Sequence, residues 1–510
     1  CRMKRVFAVV LALLSLLPVP SWAELSGQPP EETMRSVIAE FESYAVRAMK
    51  DWDIPGMSVS VVLGDRTIYA RGFGVRGIGG TDPVNEHTLF QIGSISKSFT
   101  ATLVAILADR GKIEWTDPVT DHLPDFSMYD PWVTREFRVF DIMSQHSGLS
   151  PYAGDFLPLL GFGRAHILRS LRFLRPVSSF RSEFSYVNNL FVVAGLLVEK
   201  YSGKSWEDTL KTQLLDPIGM RESSASQKSF TGASNVAFLH VRDRGGVRAL
   251  PMDWPFMRWV YTYAPAGGIA STASDMAKWM RFQLADGVAG SRRIVSKRNL
   301  DATHAPRTSL PMSAAYPGNN AYCMGWVRTE YRPYSLLWHN GATSGVCSVV
   351  MLAPEIGLGI TVLTNLSDTQ APEAVAKRFI DLFCGTKPLR DWSAEALAEA
   401  RKASSAPKIT APESPVPPMP FDVYEGTYDN PVFGSLALVA SGDTLTGVMG
   451  PDRVRIVFRH RDRDEFIMGV PDFDPEMGRA HFTLRNGIAD TLILDELEKD
   501  GIGTFVRKNP

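Results

Sequence analysis

Apolar residues recur with a helical period between residues 90 and 111. Ala101 and Ala105 keep a second face of this stretch thin, and Gly111 is a natural C-terminal stop. A thin, apolar helix of this kind is usually packed inside a domain. The pattern therefore predicts a buried helix. Its periodic positions are Ile95, Phe99, Leu103, Ile106 and Leu107.

The segments on either side of this helix carry other patterns. Residues 31–52 form an amphipathic helical pattern, and residues 57–74 alternate on both sides of Gly64-Asp65, which is typical of a β-hairpin. Residues 115–253 show short helical patterns without strand alternation. We therefore expect a mostly helical subdomain inserted after the buried helix.

A second group of strands follows. We expect a capped helix to begin at Ser274, and the strand-like runs are 323–331, 335–341 and 347–365, the last broken near Pro354. Strands this close in sequence pair most economically as antiparallel neighbours. A helix over 374–385 closes the group. The predicted fold class is α+β, with an antiparallel sheet flanked by helices plus the helical subdomain.

The C-terminal part is set apart by a proline-rich stretch. Residues 403–420 hold six prolines and almost nothing apolar to bury, so we expect a semi-extended linker. Residues 421–510 alternate repeatedly, with turns at Ser441 and Asn486, which predicts a small antiparallel barrel or sandwich. These boundaries leave residues 24–402 as one larger domain.

The first 23 residues have the pattern of a signal peptide. Lys4 and Arg5 precede an apolar run over residues 6–17, and Ser21 and Ala23 flank a small-x-small cleavage site. The run is too short to span a bilayer comfortably. A retained membrane anchor is the alternative. We expect an exported, periplasmic or secreted protein without a stable membrane span.

Composition excludes several classes of function. The formal net charge is −1 at pH 7, and long basic runs are absent, so we expect no nucleic-acid partner. The nine histidines are scattered without a metal-ligand spacing. We therefore expect no metal. The oligomeric state is left open.

Cysteines and glycines add two further limits. Cys323, Cys347 and Cys384 follow the signal pattern and allow one disulfide at most. The glycines at 72, 74 and 77 spell G-x-G-x-x-G after a strand, but no helical pattern follows to hold a pyrophosphate. We expect no cofactor.

Candidate chemistry begins in the buried helix. Ser94 and Lys97 stand three residues apart, so the hydroxyl and the amine lie on the same helical face. A serine in the first turn also lies beside free N–H groups, which favour a developing oxyanion. The pair alone is weak, because Ser405 and Lys408 repeat the spacing in the proline-rich stretch. A helix cap with a solvated lysine is the alternative.

Two further polar groups become informative only in combination. Tyr186 and Asn188 lie in a short turn ahead of a helical pattern, where Asn is also an ordinary cap. His339, with Asn340 and Gly341, is predicted to end a strand, where a lone histidine is more often structural.

Together, these three groups resemble the serine β-lactamase and penicillin-binding-protein superfamily in their order and separations. The resemblance extends from about Pro55 to Asn365, and Tyr186-x-Asn188 in place of Ser-Asp-Asn resembles the class C type. It implies a β-lactamase-like catalytic domain. The resemblance also includes the segments His146–Leu149, Asp216–Met220 and Ala266–Thr272.

The third group departs from the β-lactamase pattern of Lys-Thr-Gly. His339 replaces the lysine and Asn340 the threonine, which puts efficient β-lactam hydrolysis in doubt because a histidine is mostly neutral at pH 7. His-x-Gly variants resemble the esterases and D-amino-acid-specific peptidases of the family. Several of these carry C-terminal barrels, and residues 421–510 resemble such a lipocalin-like domain.

The resemblance implies acyl transfer through a covalent ester on Ser94 Oγ. Lys97 and Tyr186 would share the proton transfers, and Tyr186 could take the Ser94 proton and deliver it to the leaving group. Asn188 would orient Lys97 and the substrate carbonyl.

The remaining implied roles belong to the third group. His339 would hydrogen-bond Tyr186 or the substrate, with Asn340 and Gly341 beside it. The backbone N–H groups of Ser94 and Ala342 would form the oxyanion hole.

The sequence favours an exported serine hydrolase acting on small-molecule esters, amides or small peptides. The alternatives are a D-amino-acid-specific peptidase, a DD-peptidase or β-lactamase, and a penicillin-binding sensor that acylates without turnover. A third idea makes the barrel a lipid or sugar carrier attached to an inactive domain.

Overall fold

The computed structural model describes residues 31–243, 245–313, 316, 318–331, 333–404 and 412–508. The expected signal peptide, the Ser405-Lys408 pair and the middle of the expected linker lie outside these residues.

The larger domain contains strands β1 to β14. In chain order they are β1 Gly56–Leu63, β2 Arg66–Gly74, β3 Phe90–Gln91, β4 His240–Asp243, β5 Gly246–Ala249, β6 Ala270–Ser271, β7 Val288–Ala289, β8 Arg292–Arg293, β9 Thr308–Leu310, β10 Asn320–Tyr322, β11 Val327–Tyr331, β12 Tyr334–Thr343, β13 Val346–Ala353 and β14 Leu358–Thr364.

Its helices are α1 to α16. They are α1 Glu31–Asp51, α2 Ser96–Asp109, α3 Val119–His122, α4 Pro131–Glu136, α5 Phe156–Leu159, α6 Arg164–Ser170, α7 Asn188–Ser202, α8 Trp206–Leu210, α9 Asp216–Ile218, α10 Gln227–Thr231, α11 Trp259–Thr262, α12 Ala264–Gly267, α13 Ala273–Leu284, α14 Lys297–His304, α15 Ala371–Phe383 and α16 Trp392–Ser404.

Eight strands form one antiparallel sheet in the order β2-β1-β14-β13-β12-β11-β10-β9. Strand β12 pairs with β13 from Leu337 to Thr343, but its pairing with β11 ends at Trp338. Residues 339–343 therefore present an edge that β11 does not cover. This edge lies beside the turn that leads into α2.

Helices cover both faces of the sheet. Apolar residues of α1, α15 and α16 pack on one face, where Phe41 and Phe379 meet edge to face with ring centroids 5.1 Å apart. Helices α2 and α13 cover the other face, where Phe99 stacks on Trp279 at 3.7 Å. Such a layered arrangement buries the apolar stripe of each helix against the sheet. The predicted α+β fold class is confirmed.

Several element boundaries differ from the prediction. The α-helix runs from Ser96 to Asp109, because residues Gly93–Ile95 form a separate 3-10 turn in which Gly93 takes the left-handed φ of +51°. Strand β12 continues past Gly341 to Thr343, because its pairing with β13 continues. The predicted helix start at Ser274 is wrong. Thr272 caps this helix by accepting from the Asp275 backbone N–H at 3.1 Å.

A hairpin and a helix are among the elements that were not expected. The hairpin of β4 and β5 interrupts the region that was predicted to be helical, and it closes through Gly246, which has φ of +107°. Helix α16 follows the helix that was expected to close the domain, and it continues to Ser404, inside the predicted linker. Its Trp392 indole donates to Asp381 Oδ2 at 2.7 Å, which fixes α16 against α15.

The C-terminal strands form a closed antiparallel barrel in chain order, with the last strand beside the first. The interior is filled by side chains, since Tyr424, Phe466 and Phe482 meet there with ring centroids 4.9–5.4 Å apart. The strands are β15 Gly426–Asn430, β16 Gly434–Ser441, β17 Thr444–Met449, β18 Val454–Asp462, β19 Glu465–Val470, β20 Asp474–Arg485, β21 Ile488–Leu494 and β22 Thr504–Arg507, with helix α17 Asp495–Glu498 before β22.

The barrel packs directly against the helical part of the larger domain. Phe433 of the barrel meets Phe156 and Phe162, each at a ring-centroid distance of 6.3 Å. Elsewhere Phe473 stacks on Trp254 at 6.0 Å. The apolar core is continuous across this interface.

Two further properties concern the described residues as a whole. Cys323, Cys347 and Cys384 are free thiols. In the described part of the chain, no helix has both the length and the apolar character that crossing a membrane requires.

Candidate active site

Ser94 lies in a tight turn, Gly93–Ile95, directly ahead of α2. Gly93 has φ of +51°, and an added Cβ there would lie 2.5 Å from the Ala342 backbone nitrogen. The nucleophile turn therefore touches the edge of β12 where β11 has ended. A side chain at position 93 would be excluded by both backbone conformation and space.

Gly341 permits the same approach from the strand side. A Cβ at this position would lie 1.9 Å from the Ile92 carbonyl oxygen, and Ser348 donates to that oxygen at 2.9 Å. Contact between these two backbones requires a residue without a side chain. The glycine of the third sequence group is thus needed for packing.

Lys97 is completely buried, and its Nζ lies 3.0 Å from Ser94 Oγ, 2.7 Å from Asn188 Oδ1 and 2.9 Å from the Ala266 carbonyl oxygen. Burial lowers the pKa of Lys97 to about 7, and the nearby Asp155 carboxyl partly offsets this shift. A neutral amine has two hydrogens, which fit the two oxygens that can only accept. Its lone pair is then directed at the Ser94 hydroxyl.

Tyr186 also contacts the nucleophile. Its ring centroid lies 4.7 Å from Lys97 Nζ, and the Ser94 hydroxyl is close enough to lower the pKa of the Tyr186 phenol slightly against the larger effect of burial. Burial raises the pKa of Tyr186 well above its usual range, so the side chain is a phenol at neutral pH. The strand-like backbone just before α7 holds it in place, where the Tyr152 N–H donates to the Tyr186 carbonyl at 2.7 Å.

Asn188, the first residue of α7, connects Lys97 to a carboxyl group. Its Oδ1 accepts from Lys97, and its Nδ2 donates to Asp155 Oδ2 at 2.7 Å. These two partners fix the orientation of the amide, because an amine donor must meet the oxygen and a carboxyl oxygen must meet the nitrogen.

His339 is buried on the side of the sheet that faces Lys97, and its surroundings keep the imidazole ring neutral. Its Nδ1 lies 2.6 Å from the Asn340 carbonyl oxygen, so Nδ1 carries the hydrogen and Nε2 accepts from the Tyr322 hydroxyl at 3.1 Å. Burial, together with the positive charge of Lys97, lowers the pKa of His339 to about 3. The partner of its Nε2 is Tyr322, whereas Tyr186 or the substrate was expected.

The other members of the third group are placed differently. Strand alternation directs the exposed Asn340 side chain to the opposite face of the sheet, where its amide donates to Glu373 Oε1 at 2.9 Å. Its side chain is therefore not brought to Ser94. Ala342 lies at the β12 edge, and its backbone nitrogen adjoins the nucleophile turn.

Sequence reasoning missed three residues of this site. Tyr322 contacts His339, Asp155 contacts Asn188, and the Tyr263 hydroxyl oxygen lies 2.8 Å from Asp155 Oδ1. None of the three lies in a recurrent motif. The Ala266–Thr272 segment was a usable signal, since Ala266 supplies the carbonyl that Lys97 contacts.

A cluster of aromatic rings is centred on Tyr186. The ring of Tyr186 meets Tyr152 at 5.6 Å and Tyr322 at 6.3 Å, while Phe184 meets Tyr322 at 5.6 Å. Tyr152 keeps 58% of its surface exposed. An apolar or aromatic substrate group would find large planar surfaces here.

The sequence model described as Beta-lactamase matches residues 41–384, which is more than half of the chain. The chain belongs to the beta-lactamase family. The Ser94, Lys97 and Tyr186 geometry lies wholly inside the matched region.

Curated relatives of this beta-lactamase-family chain carry different names. An unguisins hydrolase of Aspergillus campestris is 26% identical, with 82% of this chain and 79% of that protein covered. Penicillin-binding protein 4 of Amycolatopsis lactamdurans is 28% identical, with 74% of this chain and 93% of that protein covered. Protein flp of Staphylococcus aureus is 22% identical, with 63% and 62% covered.

A solved structure resembles the whole arrangement. The octameric penicillin-binding protein homologue from Pyrococcus abyssi aligns with a TM-score of 0.61 over 92% of this chain and 100% of that chain, at 21% identity. At this identity the likeness concerns the fold alone.

Proposed function

We propose that this beta-lactamase-family chain is a serine hydrolase that forms an acyl-enzyme on Ser94 and acts on carboxylic esters or on small peptides and amides. The observation that carries the proposal is the 3.0 Å contact between Lys97 Nζ and Ser94 Oγ, with the ring centroid of Tyr186 4.7 Å from the same nitrogen. An alcohol beside a neutral amine is an activated nucleophile.

In the first step, Lys97 removes the Ser94 proton as Oγ attacks the substrate carbonyl. The lowered pKa of Lys97 makes the neutral amine available near pH 7. The backbone N–H groups of Ser94 and Ala342 are assigned to the oxyanion, since the turn and the strand edge touch at Gly93.

In the second step, the leaving group takes a proton as the tetrahedral intermediate collapses. The Tyr186 phenol is the donor that we assign, and Lys97 returns its proton to Tyr186. This assignment differs from the sequence expectation that Tyr186 removes the Ser94 proton, because burial disfavours its phenolate. Water then attacks the ester in the reverse order of proton transfers.

The third group indicates the substrate class. Neutral His339 takes the place of a lysine, and its Nε2 already accepts from Tyr322. A free substrate carboxylate would gain no cationic partner from it. We therefore infer substrates that do not depend on a carboxylate, which agrees with esters and with blocked or cyclic amides. The fungal relative is named a hydrolase, which supports the hydrolytic reaction of the proposal.

We further propose that the chain is of the class C type and that its barrel is lipocalin-like in form. Tyr186-x-Asn188 in place of Ser-Asp-Asn supports the first assignment, and the closed eight-stranded barrel supports the second. The filled interior, with Tyr424, Phe466 and Phe482 in contact, disfavours the carrier hypothesis.

Export is a separate proposal that rests on the pattern of residues 3–23. Expression of the full chain in a bacterial host should yield secreted or periplasmic protein that begins at Glu24. N-terminal sequencing of that protein checks the proposal, and retention of the apolar run in a membrane fraction contradicts it.

The decisive test of the hydrolase is Ser94→Ala. We expect turnover of p-nitrophenyl butyrate to fall by about 10³-fold or more. Ser170→Ala is the matched control, because Ser170 is a buried helical serine of α6 that donates to the His166 carbonyl at 2.8 Å, away from the site. Most of the rate surviving in Ser94→Ala would overturn the assignment.

A penicillin-binding protein without turnover is the second candidate, and the relative named penicillin-binding protein 4 favours it. Fluorescent penicillin distinguishes the two candidates. A label on Ser94 that persists for hours without ester turnover supports the binding protein, while rapid ester turnover supports the hydrolase.

A further inference from the structure

Asp155 is surrounded by hydrogen-bonding groups, and the donors and acceptors among them can be assigned. Its Oδ2 accepts from Asn188 Nδ2 at 2.7 Å, and its Oδ1 lies 2.8 Å from the Tyr263 hydroxyl oxygen. The same hydroxyl lies 2.8 Å from Asn189 Oδ1. Tyr263 thus stands between two oxygens, at equal distances from both.

The amide of Asn189 cannot be turned to remove this conflict. Its Nδ2 donates to the Ala153 carbonyl at 2.7 Å, and a carbonyl can only accept. The oxygen of Asn189 must therefore face Tyr263. Since Tyr263 has a single hydroxyl hydrogen, it can satisfy only one of its two neighbours.

Both neighbours of the Tyr263 hydroxyl can be hydrogen-bonded if Asp155 carries a proton on Oδ1. The protonated Asp155 then donates to the Tyr263 hydroxyl, and Tyr263 donates to Asn189 Oδ1. The other oxygen of Asp155, Oδ2, still accepts from Asn188. In this state a hydrogen lies between each pair of facing oxygens of Asp155, Tyr263 and Asn189, whereas an ionised Asp155 would leave one of these pairs in contact without a hydrogen.

We propose that Asp155 is a positioning residue that acts as a neutral carboxylic acid, and that it fixes the Asn188 amide against Lys97. The proposal rests on the proposed function of Lys97 as the base. With Asn188 Oδ1 held in place, one hydrogen of the amine is committed and the lone pair stays directed at Ser94.

The charged and titratable neighbours of Asp155 come from every side. Burial raises the pKa of Asp155 well above its usual range, the hydrogen bonds from Asn188 and Tyr263 and the charge of Lys97 lower it in part, and Asp500 raises it further. The phenols that face it have pKa values raised by burial and stay neutral. They are Tyr152 on its own loop, Tyr186 before α7 and Tyr263 before α12.

Asp500 brings the barrel into this arrangement. It lies in the loop between α17 and β22, is buried, and accepts from the Ser150 hydroxyl and from the Gly154 N–H at 2.9 Å. Both donors belong to the loop that ends at Asp155. The barrel therefore holds the segment on which the proposed positioning residue sits.

Asp155→Asn distinguishes a neutral from an ionised Asp155, because the asparagine amide has one donor and one acceptor group, as a neutral carboxylic acid has. In Asp155→Asn, Nδ2 can donate to Tyr263 and Oδ1 can accept from Asn188. We expect kcat/KM for p-nitrophenyl butyrate within about threefold of wild type and an acid limb of the pH profile moved by less than about 0.3 units.

An ionised Asp155 would give a different result. It would support the charge on Lys97, so its removal would lower the Lys97 pKa and move the acid limb down by about one pH unit or more. That shift would overturn the proposal. Asp155→Ala removes both hydrogen bonds, and we expect its kcat to fall by about tenfold or more with a smaller change in KM. Wild-type kcat in this variant would also overturn it.

A spectroscopic readout separates this proposal from the hydrolase assignment. The infrared difference between wild type and Asp155→Asn at about pH 6 should contain the carbonyl stretch of a protonated carboxylic acid. Loss of an ionised-carboxylate band instead overturns the neutral acid, whatever the enzyme hydrolyses. Loss of the acid band together with no ester or amide turnover would sustain the neutral acid and refute the hydrolase.

The barrel contact has its own matched pair of variants. Asp500→Ala removes the acceptor for Ser150 and Gly154, and we expect kcat to fall by about fivefold or more. Asp452→Ala breaks another contact of the same interface, the ion pair with Arg258, and should stay within about twofold of wild type. Equal effects of the two substitutions would contradict a positioning role for Asp500.

Discussion

Lys97 unites burial, hydrogen bonding and chemistry in one side chain. Burial makes its ammonium form costly, and three fixed oxygens surround its nitrogen. In the neutral amine, both hydrogens are donated to fixed acceptors. The basic lone pair therefore points toward Ser94. A residue of this kind is a base because of its position.

The rate of hydrolysis should depend on pH through the Lys97 amine. Because the neutral amine is the base, activity should be low where Lys97 is protonated and should rise with pH through about 7. His339 has a pKa near 3 and stays neutral over this range. The measurement is kcat/KM for an ester from pH 5 to 9. A pH-independent rate across pH 6 to 8 would contradict the prediction.

Tyr186→Phe tests the proton donor. The variant keeps the ring beside Lys97 but cannot protonate a leaving group, so kcat should fall by about 10²–10⁴-fold for amides. Activated esters, whose leaving groups need less protonation, should lose less. The check is the ratio of amide to ester rates. An equal loss for both substrates would argue that Tyr186 serves only to pack the site.

His339→Lys tests whether the His339-Asn340-Gly341 group selects the substrate. The added cation should favour substrates with a free carboxylate, so nitrocefin turnover should rise relative to ester turnover. A second cation should also lower the Lys97 pKa and move the acid limb to lower pH. His339→Gln is the neutral control. An unchanged substrate ratio in the lysine variant would mean that position 339 does not select the substrate.

The site was predictable where chemistry sits in recurrent groups. Ser94, Lys97, Tyr186 and Asn188 meet as the sequence suggested, since their spacing places them at the starts of two helices. Asp155 and Tyr322 were not predictable, because they reach the site through loop and strand geometry that no local pattern encodes. Asn340 lies next to His339 in sequence, yet strand alternation sends its side chain to the other face.

The site depends on the close approach of two elements, the Gly93–Ile95 turn and strand β12. The periodic patterns predicted α2, the β1–β2 hairpin and the strands β11 to β14. They could not predict the hairpin of β4 and β5, or the extension of β12, which follows from pairing with β13. Tertiary pairing decides such boundaries more than local propensity does.

Gly341→Ala tests this approach. Its Cβ would lie 1.9 Å from the Ile92 carbonyl oxygen, so the nucleophile turn must move away from β12. We expect a loss of about 10²-fold or more in kcat, and destabilisation by about 1–3 kcal/mol. Gly163→Ala is the control, because a Cβ there meets nothing within 4 Å. Wild-type activity in Gly341→Ala, measured beside thermal unfolding, would refute the proposed oxyanion geometry.

At the scale of the whole molecule, the barrel and the larger domain share one apolar core. The closed barrel follows the proline-rich stretch in the chain, but composition could not reveal that the barrel and the larger domain are packed together. Phe433, Phe473 and Asp500 reach across the interface from three different places in the barrel. A contact surface of this kind couples the stability of both parts.

The last prediction follows from that shared core. Phe433→Ala should remove buried contacts with Phe156 and Phe162 and destabilise the protein by about 3–5 kcal/mol. Because the core is continuous, wild type should unfold in one calorimetric transition, and the variant should shift that whole transition to lower temperature. Val439→Ala is the control, since Val439 is 58% exposed on the barrel surface. Two separate transitions, of which Phe433→Ala moves only one, would show that the barrel folds independently and would remove the physical basis for its influence on Asp155.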